Sequence, residues 1–178
     1  YEDNQLTVEG IPLKHKLDCT GFLFREKQKP RRIDKDRLPH DLTLQQLAAL
    51  KTGADVVDES GKVRYKNADL TFSPRKSRSY AYCSDTAFDE NLVNIIQQVD
   101  VLYHEATFME REKDKAIETL HSTAAEAATI ARQGNVGKLL LGHFSARYKE
   151  LEPLLEEARI VFSNSYLACE GDTFTLDE

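Results

Sequence analysis

Apolar and polar residues alternate along much of the first 26 positions, and this period of two predicts β-strands. Gly10 and Gly21 punctuate the pattern. The apolar positions that alternate with polar or small neighbours are Leu6, Val8, Ile11, Leu13, Phe22 and Phe24.

The pattern changes between residues 27 and 77. Residues 27–41 are charged and interrupted by two prolines, which predicts an exposed loop or arm. Thr43 is a good N-cap for a short helix with leucines on one side, and Gly53 lies just past its expected end. Residues 54–66 then predict a small hairpin that turns near a Glu-Ser-Gly sequence.

From residue 78 onward, short apolar runs alternate with segments of helical period. This alternation predicts an α/β architecture with helices packed on a sheet. One helix is rich in alanine; Ser122 or Thr123 can cap it, and Glu126 completes a capping box with Thr123. The predicted strands span 78–83, 101–103, 138–141 and 160–162, and the predicted helices span 91–99, 122–134 and 150–158.

Composition narrows the class of protein. The 178 residues are 40% hydrophobic, which is enough apolar material for a core, and the formal net charge is -6. No apolar run approaches the roughly 18 residues that a membrane span needs, and the acidic first residues do not fit a signal peptide, so we expect a cytoplasmic protein. Because the net charge is negative, contacts with nucleic acid would depend on the basic clusters at 27–37 and 75–78.

Polar side chains follow three consecutive predicted strands. Asp85 comes after the first, the pair His104-Glu105 after the second, and His143 after the third. The carboxyl ends of strands in α/β sheets are where functional groups collect, and these residue types bind zinc or manganese or transfer protons. His121 precedes a helix cap, where backbone N–H groups favour an anion such as phosphate.

Each of these residues also has a plainer interpretation. A single histidine is more often structural or solvated than functional, and an Asp after a strand is more often a turn residue. The Arg31-Arg32 pair is most simply part of a solvated arm. The functional interpretation gains weight because four of the five histidines would need independent structural explanations at once.

Five sequence blocks resemble the signature blocks of ribonuclease Z, in the same order and at fitting separations. They are distributed along the chain between residues 11 and 148, and none of them falls within residues 27–77. The blocks are IPLKHKLDCTGF at 11–22, YCSDT at 82–86, HEATF at 104–108, HSTAAEAA at 121–128 and GHFSARY at 142–148.

The resemblance implies the αβ/βα sandwich of the metallo-β-lactamase superfamily, with this chain as its second, C-terminal half. It also implies two zinc ions, with Mn²⁺ as the alternative ion. By the same resemblance His15 is a ligand of one ion, Asp85 bridges both, and His143 is a ligand of the other. Two neighbouring cations can activate water and stabilise the phosphoester oxygens during displacement.

Three further roles follow from the resemblance. His121 is expected to act as a general acid or to bind the scissile phosphate. Glu105 is expected to orient His121, and Arg147 to bind phosphate with its planar guanidinium. The resemblance also implies a homodimer in which the arm of one subunit serves the active site of the other.

Two departures from the family pattern change what this chain can do. The motif H-x-H-x-D-H is absent, since the histidines stand at 15, 40, 104, 121 and 143. We therefore expect these 178 residues alone to be inactive and the missing ligands to precede residue 1. Residues 27–77 occupy the place of the family's tRNA-binding exosite, but TLQQLAALKTG replaces its Gly/Pro-rich run.

The sequence therefore predicts a zinc phosphodiesterase that cleaves precursor tRNA after the discriminator base. Two alternatives stay open: a related phosphodiesterase with another substrate, and a non-catalytic module that binds RNA or a partner. A nucleotide-binding domain would also show alternating strands and helices, but no Gly-rich phosphate loop is present.

Overall fold

The computed structural model describes residues 1–176 and divides the chain into two units. The first contains residues 1–26 and the segment from Arg78 onward, and the second contains Lys27–Ser77. Whether the second unit serves as an exosite-like arm stays a prediction.

A six-stranded sheet forms the centre of the first unit. Its strands are β1 (Leu6–Leu13), β2 (Cys19–Glu26), β7 (Ser79–Cys83), β8 (Val101–Glu105), β9 (Lys138–Gly142) and β10 (Ser165–Leu167), and strands β3 to β6 belong to the second unit. The strand order in the sheet is β1-β2-β7-β8-β9-β10. The β1–β2 and β2–β7 pairs are antiparallel, whereas the pairs from β7 through β10 are parallel.

Helices of the first unit pack against this sheet and close its core. Leu102, Leu139 and Leu141 from the strands are fully buried together with small side chains such as Ala127 and Ala131. None of the helices within residues 1–176 has the length and hydropathy of a membrane span. The helices are α3 (Asn91–Ile95), α4 (Lys113–Thr119), preceded by a 3-10 turn at Glu110–Glu112, α5 (Ala124–Gln133) and α6 (Glu152–Val161).

The structure corrects two predicted elements. The helix predicted over 91–99 ends at Ile95, and Gln98 has a left-handed φ of 58°, which a helix cannot accommodate. The strand predicted over 160–162 is wrong, because helix α6 continues to Val161. Ile160 is 87% exposed on that helix, and the following strand is β10.

The second unit has a small core of its own. Leu50, Val56 and Leu70 are buried in it, and the Asn67 side chain donates to the carbonyls of Leu50 and Ala54. The helix capped by Thr43 and the hairpin over 54–66 are confirmed, and Gly53 follows the helix as predicted, with a left-handed backbone. Its elements are β3 (Arg32–Ile33), α1 (Leu44–Thr52), β4 (Val56–Val57), β5 (Val63–Tyr65), α2 (Asn67–Leu70) and β6 (Thr71–Phe72).

Candidate active site

The carboxyl edge of the parallel strands gathers four of the predicted site residues. Asp85 follows β7, Glu105 ends β8, and His143 follows β9, while His121 lies between α4 and α5. One ligand atom of each residue lies within 4.8 Å of the others. They meet because neighbouring parallel strands end at the same edge of the sheet.

The backbone at this edge adopts unusual conformations. Asp85, Leu120 and His143 all have left-handed φ values, between 54° and 59°, although none is glycine. Such conformations are costly for residues with a Cβ and are found most often at functional sites. They turn the chain sharply where the Asp85 and His143 side chains leave their strands.

Glu105 is fully buried and accepts four hydrogen bonds. Its Oε1 accepts from the Thr86 amide at 2.6 Å and from His121 Nδ1 at 2.8 Å. Its Oε2 accepts from the Thr107 hydroxyl at 2.6 Å and from the Ser122 amide at 3.0 Å. A carboxylate has about four lone-pair sites, so protein donors occupy all of them. The geometry therefore favours a role for Glu105 in orienting His121 over a role as a metal ligand.

Thr107 connects Glu105 to His143 through its hydroxyl group. Its Oγ1 lies 2.9 Å from His143 Nδ1 and 2.9 Å from the His143 carbonyl. A hydroxyl has one proton, and the shortest contact directs it to Glu105, so Thr107 accepts from His143 Nδ1–H. Thr107 was not among the predicted site residues, although it lies inside the HEATF block.

Three histidines share one arrangement of their ring nitrogens. The Nδ1 of His121 donates to Glu105, that of His143 to Thr107, and that of His15 to the Leu120 carbonyl at 2.9 Å. Each ring therefore has its Nε2 available to a ligand. This is how metal-binding histidines are oriented in proteins, with the second nitrogen held by an oxygen acceptor.

The contact between Asp85 and His143 provides a test of whether a metal fits. His143 Nε2 lies 2.9 Å from Asp85 Oδ1, and both side chains are about 40% exposed. When Nδ1 holds the proton, a bare nitrogen and a carboxylate oxygen at this distance repel each other unless a proton or a cation lies between them. Imidazole and carboxylate are also the ligand types that zinc prefers. The residues present therefore fit a divalent transition-metal ion.

His15 lies beside this group, in the turn between β1 and β2. Its ring centroid is 4.8 Å from that of His121, and the His121 ring is 5.3 Å from that of His143. The structure thus places three predicted histidines next to one another. The role of His15 as a metal ligand stays a prediction.

Arg147 lies at the border of the site, beside Phe108, whose ring centroid is 6.2 Å from that of His121. Its Nη1 contacts Glu112 Oε1 at 2.6 Å, and its guanidinium lies 5.0 Å from the Phe108 ring centroid. The Tyr148 hydroxyl also donates to Glu112. This hydrogen bond and the Arg147 charge lower the pKa of Glu112 from its usual range. The phosphate-binding role of Arg147 stays a prediction.

The remaining two histidines do not join the site. His104 is completely buried, its Nδ1 lies 2.8 Å from the Glu105 carbonyl, and its Nε2 has no hydrogen-bond partner among the described residues. Burial lowers the pKa of His104, so the ring is neutral in the fold. Its strand neighbour Cys83 has a pKa raised to about 12 by burial. His40 is exposed in the second unit.

Solved structures identify the class of fold that carries this site. YhfI, a metallo-β-lactamase fold protein of Bacillus subtilis, has a TM-score of 0.58 at 16% identity, and the match covers 94% of this chain and 48% of that chain. The short form of human tRNase Z has a TM-score of 0.56 at 22% identity, over 100% of this chain and 46% of that chain. The chain therefore has part of a metallo-β-lactamase fold, as predicted.

Sequence comparison narrows the class further. No protein-family model matches the sequence. The ribonuclease Z of Cytophaga hutchinsonii is 46% identical over 171 residues, covering 96% of this chain and 55% of that protein. The ribonuclease Z of Bacteroides fragilis is 46% identical over 172 residues, covering 96% of this chain and 56% of that protein. The predicted resemblance to ribonuclease Z is confirmed, and the chain spans about half the length of these curated relatives.

Proposed function

We propose that this chain is one half of a zinc-dependent endoribonuclease that cleaves precursor tRNA on the 3′ side of the discriminator base. One observation carries the proposal: Asp85, Glu105, His121 and His143 meet at the edge of a metallo-β-lactamase sheet. Similarity to ribonuclease Z over 96% of the chain supports the choice of substrate. Activity needs the remaining ligands, because these 178 residues lack the H-x-H-x-D-H motif.

His15, Asp85 and His143 would hold the metal on this side of the site. Bound zinc ions supply an activated water and stabilise the phosphoester oxygens of an in-line displacement. This chain contributes imidazole Nε2 atoms whose rings are already oriented through Nδ1, and one carboxylate. The complete polypeptide would hold two zinc ions, with Mn²⁺ as the alternative, and Asp85 would serve as a ligand of both.

His121 is the proposed proton donor. Its Nδ1–H is fixed by Glu105 Oε1, so its Nε2 is the atom that delivers a proton to the departing 3′ oxygen of the discriminator nucleotide. In this role the ring has protons on both nitrogens before the transfer. The three other hydrogen bonds of Glu105 prevent its carboxylate from rotating away, so His121 stays oriented.

Arg147 and the second unit provide the proposed contacts with the RNA backbone. The Arg147 guanidinium is planar and suits a phosphate, and Glu112 and Phe108 hold it at the border of the site. Lys29, Arg31, Arg32 and Lys35 of the second unit supply positive charge for tRNA. We further propose a cytoplasmic homodimer in which this unit serves the active site of the partner.

Metal analysis and cleavage assays on the complete natural polypeptide test the proposal together. We expect about two zinc ions per chain by elemental analysis and cleavage of a precursor tRNA at one position. If the enzyme hydrolysed bis(p-nitrophenyl) phosphate but no precursor tRNA, a related phosphodiesterase would be the better description. If no transition metal bound even after reconstitution, the nuclease mechanism would be wrong and a non-catalytic RNA-binding module would replace it.

A further inference from the structure

A cavity of about 320 Å³ opens beside His121 and is not used by the proposed reaction. Its lining comes from the turn after β1, from the segment after β7, and from helices α4 and α5. His121 is part of this lining and is also a member of the group with Asp85 and His143. The cavity and the proposed catalytic centre therefore share one side chain.

Most of the cavity wall is apolar. Phe88, Ile117 and Leu120 line it, and the Ile117 side chain is 60% exposed on α4. A volume of this size is at the lower end of the range for small-molecule sites, which begins at about 300 Å³. Leu120 also holds His15 through its carbonyl. The wall thus offers a ring face and branched aliphatic side chains directly next to the site.

The charged groups of the lining are Lys14, Lys113 and Glu126. Lys113 Nζ lies 3.0 Å from Glu110 Oε1 and 3.2 Å from Glu126 Oε1, so the charge of Glu126 is balanced within the wall. Glu126 Oε2 accepts from the Thr123 amide. The exposed Lys14 adds a further positive charge, which suits a ligand that combines an apolar body with a phosphate.

We propose that this cavity receives one nucleobase of the RNA substrate, from a nucleotide next to the scissile phosphate. The inference rests on the proposed function, because it requires the scissile phosphate to lie at His121. A base has two apolar faces and stacks on rings and aliphatic side chains whatever its identity. Since the polar atoms of Glu126 and Lys113 are bound to one another, the wall holds few groups that could distinguish base edges. The cavity therefore recognises the presence of a base more than its identity.

Fluorescence of 2-aminopurine tests the proposal without catalysis. Precursor tRNAs would contain this base at single positions on either side of the cleavage site, and binding to the complete polypeptide would be measured in EDTA. We expect a fluorescence change at one flanking position, and its loss in Ile117→Gln. Ile160→Gln is the matched control, because Ile160 is an exposed helical isoleucine outside the cavity. The proposal would be overturned if Ile117→Gln gave the same change as wild type.

Cleavage assays with metal present provide the second measurement. Removing the base at the same flanking position should raise the KM of the wild-type enzyme by about tenfold, whereas exchanging one base for another should change it little. In Ile117→Gln the abasic and normal substrates should become nearly equal. Cleavage of precursor tRNA with no dependence on a flanking base would eliminate the cavity proposal alone. Absence of any precursor tRNA cleavage would instead contradict the proposed function and this inference with it.

Discussion

The core beneath the helices and the carboxyl edge of the same sheet both contain histidines, in very different surroundings. His104 in the core is fully buried, and its Nε2 meets no polar partner in residues 1–176. At the edge, the His121 side chain is 17% exposed and that of His143 is 39% exposed. In both regions an oxygen atom holds Nδ1. The difference shows that access to Nε2, and not the anchoring of Nδ1, separates a structural histidine from a candidate functional one.

The largest expected effects come from substituting His121 and His143, the two histidines at the carboxyl edge, one at a time. In the complete polypeptide, His121→Ala should lower turnover by about 100-fold or more, because it removes the proposed proton donor. Bound zinc should change little in that variant. His143→Ala should lose zinc and activity together, because its Nε2 is a proposed ligand. Elemental analysis and precursor tRNA cleavage on the same preparations measure both quantities.

His104→Leu, a substitution in the core, is the control for the two variants at the edge. We expect it to keep zinc and to retain most of the turnover, because its Nε2 is completely buried and His104 is not part of the group formed by Asp85, His121 and His143. Should His121→Ala strip the metal as fully as His143→Ala, the division of roles at the edge would be wrong. Should His104→Leu abolish turnover while remaining folded, the contrast between the two regions would fail.

A smaller effect is expected when Glu105 is changed to Gln. The amide cannot accept four hydrogen bonds, so one or more of the Thr86, Ser122 and His121 donors is left without an acceptor. The free energy of unfolding should fall by about 1–3 kcal/mol. Urea denaturation of this chain in EDTA measures the change. Glu156→Gln on the exposed side of α6 is the matched control. If the two variants were equally stable, the four hydrogen bonds to Glu105 would not contribute to stability as proposed.

The parts of the fold that the sequence predicted correctly depend on local signals. Thr43 and Thr123 each close a capping box with the residue three positions later, and both helices start where predicted. The strands were located by short apolar runs, and residues Asp85 and His143 by their place after those runs. Local hydrogen bonds and the alternation of side chains determine such features, so one segment of sequence contains the information.

Other features depend on contacts between distant segments. The run Ile160-Val161-Phe162 has strand propensity, but burial of Leu154, Leu155 and Ala158 along α6 keeps it helical through Val161. Thr107 was missed because its role exists only when β8, the start of α5 and the end of β9 are brought together. The roles of the site residues came from the resemblance, whereas their approach to within 4.8 Å came from the structure.

The pH dependence of stability tests whether the buried ring of His104 in the core is neutral. Burial lowers the pKa of His104 below its usual value of 6.5. Below about pH 6.5, His104 therefore binds a proton in the unfolded chain but not in the folded chain. The free energy of unfolding falls as the pH falls. Between pH 7.5 and 5.5, His104→Leu should lose less stability than the wild type, because it lacks the group that binds this proton on unfolding. Denaturant titrations in EDTA measure this difference.

His40→Leu is the matched control for that experiment, because it removes one histidine at an exposed position of the second unit. A His104→Leu variant with the same loss of stability on acidification as the wild type would contradict the buried, neutral ring. Lower stability of His104→Leu at every pH would not, because the hydrogen bond from Nδ1 to the Glu105 carbonyl is also removed.

The smallest expected effect on stability is that of substituting Glu112, the partner of Arg147 at the border of the site. The Tyr148 hydroxyl and the Arg147 guanidinium lower the pKa of this carboxyl below its usual value of 4.5. Its contribution to stability is therefore present above about pH 4.5 and is lost as the pH falls through the lowered value. Because Arg147 and Glu112 are partly exposed, Glu112→Gln should cost less than about 1 kcal/mol at pH 7. This cost should shrink as the pH falls below about 4.5, while Glu150→Gln at an exposed position serves as the control. A cost that stayed constant from pH 7 to pH 3 would show that Glu112 acts through packing and not through its charge.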